Sequence, residues 1–245
     1  MSADDYDDIT AFHYEAYRPP LHASILKECL GDATFKHGLD IGCGTGKSTV
    51  ALKSFCETVV GVDPNIDMLS KATPVPNIHY ELFDGRLLNF EPNTFDLITL
   101  AGSWWYAKSK TLLNEIHRVS MNGAKIALYD FEVQFQSVYK TLGLTLPSAK
   151  DAYNHFADFS KFDNVGFELN RKKSEELKLS LTADKLAHLL CSEKKTLVVL
   201  KEKYGFPDTF EKVKDILRDS YDTNKIDVLT KTYSTKYYVK KEKNI

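Results

Sequence analysis

Three glycines stand at alternate positions, Gly42, Gly44 and Gly46, between an acid, Asp40, and a Lys47-Ser48 pair. Glycine has no side chain to obstruct an approaching ligand and tolerates positive φ. A helix begins at Lys47 in the sequence pattern, and its first turn offers unpaired N–H groups to ligand oxygens. A second acid, Asp63, ends a β-branched run 17 residues after Gly46. A carboxylate at that distance can accept two hydrogen bonds from a diol such as a ribose, and an acid there can equally cap the next helix. The chemistry these residues suggest is the binding of a nucleoside-containing ligand. A Walker A loop is excluded, because Ile41 stands where its first glycine belongs. The G-x-G-x-x-G dinucleotide fingerprint is also absent, since the spacing is G-x-G-x-G.

The acid-x-G-x-G-x-G pattern resembles the first motif of the class I S-adenosylmethionine-dependent methyltransferases. The resemblance implies that Gly42, Cys43, Gly44, Thr45 and Gly46 wrap the methionine part of S-adenosylmethionine, with S-adenosylhomocysteine as product. It implies that Asp40 faces the cofactor's amino end, directly or through water. It implies that Asp63 takes the ribose hydroxyls and that Pro64 or Ile66 packs on the adenine. Asp84 and Gly85 fall where the family places an adenine-contacting turn, and Ala101 and Gly102 end the fourth strand. The stretch from Thr99 to Asp130 is similar to the block of a small-molecule (type 11) subgroup that includes trans-aconitate methyltransferase-like proteins, with Glu115-Ile116-His117-Arg118-Val119 in its second half. Two departures stand out. Trp104 replaces a histidine frequent in that subgroup, and the usual K-P-G-G is reduced to Ser120-Met121-Asn122-Gly123.

The elements that must position these residues follow in chain order. Apolar periodicity predicts helices over 9–17 and 21–30, broken at Pro19-Pro20. The Tyr17-Arg18-Pro19-Pro20 break resembles a Y-x-x-x-R-P lid element, so Tyr14, Tyr17 and Arg18 are candidates for the pocket or for packing on the core. Strand one and its turn occupy roughly 37–46, and the next helix runs to Cys56-Glu57. Strands follow at 58–63, 78–82 and 95–101, with Asp96 read as structural. An Asn122-Gly123 turn leads to a fifth strand at 124–130. Both tryptophans lie together in Trp104-Trp105-Tyr106, a candidate acceptor wall whose other reading is packing. Beyond Phe131 the pattern predicts helices over 134–142, 151–162, 182–190, 193–204 and 208–220. Alternation predicts strands over 173–181 and 226–239.

The expected fold is therefore an α/β, Rossmann-like doubly wound sheet, mostly parallel, with antiparallel C-terminal strands and a helical cap. The expected organisation is a single methyltransferase domain over 1–245: a helical lid at 1–35, a cofactor-binding core at 36–133, and cap helices with the last strands at 134–245. With 43% apolar and 27% charged residues the composition is that of a globular protein. A net charge of −2 disfavours nucleic acid as the main partner. No apolar run is long enough for a membrane span, and the acidic Met1–Asp8 stretch does not read as a signal peptide. Four cysteines without C-x-x-C spacing predict a reducing, cytoplasmic setting and no metal site. The expected activity is methyl transfer to a small molecule, mainly by positioning and without an essential base. The alternatives are an RNA methyltransferase and a catalytically silent S-adenosylmethionine-binding module.

Overall fold

The computed structural model describes residues 8–146, 153–162, 166–221 and 224–239. In chain order the elements are α1 (Asp8–Ala16), α2 (His22–Leu30), β1 (Phe35–Ile41), α3 (Lys47–Leu52), β2 (Cys56–Asp63), α4 (Ile66–Leu69), β3 (Ile78–Leu82) and β4 (Phe95–Ala101). There follow α5 (Trp104–Ala107), α6 (Lys110–Val119), β5 (Ser120–Gln134), α7 (Gln136–Thr141), β6 (Phe167–Leu181), α8 (Ala183–Cys191), α9 (Lys194–Tyr204), α10 (Thr209–Ser220) and β7 (Ile226–Val239).

The seven strands form one sheet in the order β3-β2-β1-β4-β5-β7-β6. The first five are parallel, with Leu39 opposite Val60 on one side and Ile98 on the other, and the two C-terminal strands are antiparallel. This is the doubly wound sheet that the strand pattern predicts. The chain moves outward from β1 to β3, then returns to β4 on the other side of β1. The strand order therefore reverses between β1 and β4, where open α/β sheets bind their ligands beyond the strand C-termini. Asp40, Asp63 and Ala101 all lie at such ends.

Contacts divide the chain into two compact units. The sheet unit holds the described residues within 20–131, 153–175 and 232–239. Its core is apolar, with Leu39, Ile41, Ile98, Leu100, Ile116 and Phe159 almost wholly buried. Helix α6 shows why: Leu112, Leu113, Ile116 and Val119 fall on one face at helical spacing, and the Ser109 hydroxyl caps its start by accepting the Leu112 N–H. The helical unit holds the described residues within 8–19, 132–146, 176–221 and 224–231. Its own core gathers Val138, Leu186, Leu190, Leu200, Val213 and Leu217 from α7, α8, α9 and α10. Thr182 caps α8 through the Lys185 N–H, as its position before the apolar run implies.

Four expectations are corrected. Helix α3 ends at Leu52, short of Cys56-Glu57, because Cys56 is already paired with Phe35 in the parallel ladder. The Asn122-Gly123 turn lies inside β5. There the register jumps from Phe95 opposite Ser120 to Leu97 opposite Lys125, and Gly123 takes φ 80°, so the extra residues form an irregular bulge and the strand continues. Strand β6 begins at Phe167 and not at 173. The helix expected over 151–162 is absent from its described part, 153–162, which holds only a 3₁₀ turn at Phe159–Lys161. The Asn154 and Asp158 side chains accept the N–H groups of Phe156 and Ser160, and such local bonds displace helical ones. Residues 1–7, 147–152 and 240–245 lie outside the described residues, so the readings made on them do too.

Candidate functional site

Each glycine of the 42–46 turn has positive φ: 75° at Gly42, 55° at Gly44 and 81° at Gly46. A β-carbon at Gly42 would collide with Ser103, and one at Gly46 with the Tyr80 phenol. The turn is fixed to β2 by the N–H groups of Gly42 and Cys43, which donate to the Val62 carbonyl at 2.8 and 3.1 Å. Cys43 is buried, and burial raises its thiol above the usual range. Thr45 is half-buried at the turn's edge.

Asp40 and Asp63 serve this turn differently. Asp40 is fully buried. One oxygen accepts the hydroxyls of Ser48 at 2.5 Å and Thr49 at 2.8 Å, and the other accepts Thr99 at 2.9 Å. Burial raises its carboxyl, and the three hydroxyls pull the other way. It thus fastens β1 to α3 and β4 under the turn. Asp63 accepts the Gly44 N–H at 2.8 Å with one oxygen and the Asn65 N–H at 2.9 Å with the other. A carboxylate has about four lone-pair sites, so Asp63 keeps acceptor capacity while bracing the turn. Asn65 in turn caps α4, and Pro64 is exposed beside it.

Asp84 holds a tight turn by accepting the N–H groups of Arg86 and Leu87. These bonds lower its carboxyl. Gly85 has φ 84° and open space where a β-carbon would sit. At the end of β4, Ala101 is half-buried and Gly102 has φ 70°. Ser103 donates to the Ile41 carbonyl at 2.5 Å, tying the Gly102 loop to the glycine turn.

The two tryptophans separate. Trp104 is 2% exposed, packs edge-on against Phe159, and donates its indole N–H to the Asp158 carbonyl at 2.9 Å. Trp105 is half-buried, with the Lys108 ammonium over its ring at 3.1 Å. Tyr106 is 50% exposed and leans on Tyr153. A cleft opens here, lined by Trp104, Trp105, Asp130, Tyr153, His155 and Tyr233 among others.

Four residues of this cleft and the turn escaped the sequence reading. Asp130, on β5, accepts Nδ1 of His155 at 2.8 Å. The Tyr153 hydroxyl lies 2.9 Å from the same carboxylate and 2.8 Å from the Gly102 carbonyl. Tyr153 is pushed well above the ordinary phenol range, by burial first and then by Asp130. Tyr80, on β3, places a buried hydroxyl against Gly46 with no hydrogen-bond partner among the described residues; burial pushes it up to about 12. The available signal for Asp130 was a third acid at the level where a parallel strand's neighbour ends. Tyr153 and His155 carry no local signal for this role, since their segment reads only as part of a helix over 151–162.

Tyr14, Tyr17 and Arg18 belong to the helical unit. The Arg18 guanidinium stacks on the Tyr14 ring at 4.5 Å, and Tyr17 packs on that unit's apolar core. Among the described residues no group of three His, Cys, Asp or Glu side chains is placed to hold a metal ion, and no helix is long and apolar enough to cross a membrane.

A methyltransferase-domain family model matches residues 39–128. A Bacillus pumilus protein described as an uncharacterized methyltransferase is 30% identical over 145 residues, covering 56% of this chain and 67% of its own length. A Saccharomyces cerevisiae protein, provisionally described as an S-adenosylmethionine-dependent methyltransferase, is 28% identical over 188 residues. That match covers 73% of this chain and 61% of the yeast protein, less than two thirds of it. Among solved structures, a protein from Anaeromyxobacter dehalogenans, provisionally described as a type II methyltransferase, superposes with a TM-score of 0.65. It is 17% identical and covers 91% of this chain and 98% of its own, a likeness of fold.

Proposed function

Because the chain belongs to the class I S-adenosylmethionine-dependent methyltransferases, we propose that it transfers a methyl group to a small-molecule acceptor in the cleft of the sheet unit, leaving S-adenosylhomocysteine. The cofactor supplies a methyl group already activated by a positive sulfonium. The protein's task is then to align an acceptor and exclude water.

The residues fit this cofactor. Positive-φ glycines leave a strip of bare backbone for its methionine part. Asp63 has lone pairs left for two ribose hydroxyls. Gly85 leaves space for the adenine, and Pro64 is exposed. Tyr80 brings to the turn a buried hydroxyl with no hydrogen-bond partner among the described residues. In this reading Asp40 positions the turn through Ser48, Thr49 and Thr99, and Cys43, Thr45, Ala101 and Gly102 line the strip. The observation that carries it is Asp63, which braces Gly44 while keeping acceptor sites in reserve. Trp105 and Tyr106 are the candidates for the acceptor side within the sheet unit. The similarity of Glu115–Gly123 supports the trans-aconitate-like subgroup as the finer assignment. Free thiols at all four cysteines support a cytoplasmic setting.

Titration calorimetry on ligand-free protein tests this. S-adenosylmethionine and S-adenosylhomocysteine should each give a binding isotherm. Asp63→Ala should weaken binding by about 1.5–3 kcal/mol, the range for hydrogen bonds to a charged group. Heat with NAD alone would overturn the cofactor assignment. A labelled-methyl assay over small molecules and bulk RNA tests the acceptor, and transfer to RNA alone would overturn that part.

A further inference from the structure

A methyl acceptor needs a base only when its nucleophilic atom carries a proton. The structure contains a group built for that task, 29 residues downstream of Ala101 at Asp130 and beyond it at His155. The contacts run unbroken from the glycine turn. Ser103 fills the space beside Gly42 and donates to the Ile41 carbonyl. Next to it, a β-carbon on Gly102 would come within 3.2 Å of Asp130 Oδ1. Asp130 Oδ2 then holds His155. The histidine is thus joined, through three residues of the sheet unit, to the turn that binds the cofactor in the reading above.

Its protonation pattern follows from its partner. An ionised carboxylate only accepts, so Nδ1 carries the proton that it donates to Asp130. In the neutral ring Nε2 then presents a lone pair. Among the described residues no group hydrogen-bonds Nε2. The ring is held at its faces, stacked on Tyr233 with an angle of 9° between the planes and met edge-on by Tyr153. Asp130 is itself held, by the Phe131 N–H at 2.8 Å. A carboxylate that fixes the tautomer and orientation of an imidazole is the arrangement of a general base with its orienting group.

We propose that Nε2 of His155 is the general base of this enzyme, positioned by Asp130, and that the acceptor is a small molecule whose nucleophilic atom bears a proton, a phenol or an amine. The acceptor atom bonds to the methyl carbon as the carbon–sulfur bond breaks with its electron pair retained by sulfur, and the acceptor's proton passes to Nε2 and then to water. Trp105, Tyr153 and Phe156 line the cleft beside His155, and such rings offer an acceptor apolar and π surface. This rests on the cofactor reading above and replaces the base-free expectation drawn from the sequence.

Two measurements test it. The first needs neither cofactor nor acceptor. Nitrogen NMR on ¹⁵N-histidine protein should show His155 as the Nδ1-protonated neutral tautomer at alkaline pH, and Asp130→Asn should disturb that preference. An Nε2-protonated ring in the unaltered protein overturns the assignment. The second follows labelled methyl transfer to p-nitrophenol, tyramine and benzoate. Transfer is expected to a protic probe, with a pH–rate profile whose ionisation is lost in His155→Gln and whose kcat falls roughly 100-fold or more, as for loss of a general base. The titratable groups facing the ring are the Asp130 carboxylate and the phenols of Tyr153 and Tyr233, with Lys172 near Phe156. His155→Gln should bind S-adenosylhomocysteine with unchanged affinity in calorimetry. Transfer to benzoate alone, to none of the three, or at an unchanged rate and pH profile in His155→Gln overturns the proposal. Loss of cofactor binding in the unaltered protein would instead strike the reading on which it rests.

Discussion

The two units each bring a histidine to another side chain, and do so to opposite ends. In the sheet unit, His155 faces a carboxylate and keeps one ring nitrogen without a partner among the described residues. In the helical unit, His13 of α1 meets His188 of α8, Nδ1 to Nδ1 at 2.9 Å, under the ring of Phe210. Two imidazoles in contact cannot both be cations without repulsion, so this pair is stable only with its charge suppressed. One imidazole keeps a nitrogen open among the described residues, and the other pair meets ring to ring under Phe210. Residue type alone does not make a site. What a side chain's neighbours leave unspent does.

The adjacent tryptophans sharpen that contrast within a single turn of helix. Trp104 is spent, with its ring in the apolar core and its N–H on the Asp158 carbonyl. Trp104→Ala should destabilise the protein by about 3–5 kcal/mol, the range for truncating a buried aromatic ring, as read from urea unfolding midpoints at constant m-value. Trp105→Ala should cost under about 1 kcal/mol of stability yet raise KM for the best acceptor. Equal stability losses at the two positions would show that Trp105 is also packing.

The glycine turn offers the next largest effect. Gly46→Ala would hold an alanine at φ 81° and drive its methyl into the Tyr80 phenol. Left-handed strain and overpacking each cost about 1–3 kcal/mol. A combined loss of roughly 3 kcal/mol is expected, together with weaker S-adenosylhomocysteine binding in calorimetry. Tyr80→Phe removes only the buried hydroxyl. It should leave stability nearly unchanged while weakening cofactor binding if that hydroxyl meets the ligand. Unchanged affinity in Tyr80→Phe would assign the phenol to the packed class.

These two cases also show what could be read in the sequence. The turn was legible because its meaning is local: three glycines at fixed spacing need positive φ whatever surrounds them. The strands from β1 to β4 were legible for the same reason, as β-branched runs between turn residues. The base and its orienting acid were not. Asp130 and His155 are 25 residues apart, and the segment carrying His155 is shaped by Asn154 and Asp158 bonding their own backbone, whereas its pattern reads as a helix. The same bonds undid the helix expected there. The role of Trp104 was equally hidden, because whether an indole N–H finds a carbonyl depends on Asp158, far along the chain.

The smallest effect belongs to the histidine pair, and its sign is opposite to that of a stabilising ion pair. Burial, then His188, then Lys201 lower His13 from 6.5 to about 4. Burial likewise lowers His188, although Asp184 opposes it. A group that is harder to protonate folded than unfolded supports the folded state above its unfolded pKa. As pH falls from about 6.5 toward 4, the unfolded chain takes up the proton first, so this contribution is lost in that window. Lys214 and Glu211 of α10 face His188 with opposing charges, and Phe210 covers both rings. The pair is partly reached by solvent, which screens the effect, so the expected loss is about 1 kcal/mol. The measurement is the stability of the unaltered protein minus that of His13→Gln, by urea unfolding at pH 7.5, 6, 5 and 4.5. The difference should shrink steadily on acidification. A difference that is flat with pH, or that grows, would mean that the two imidazoles share a proton and behave like the site in the other unit.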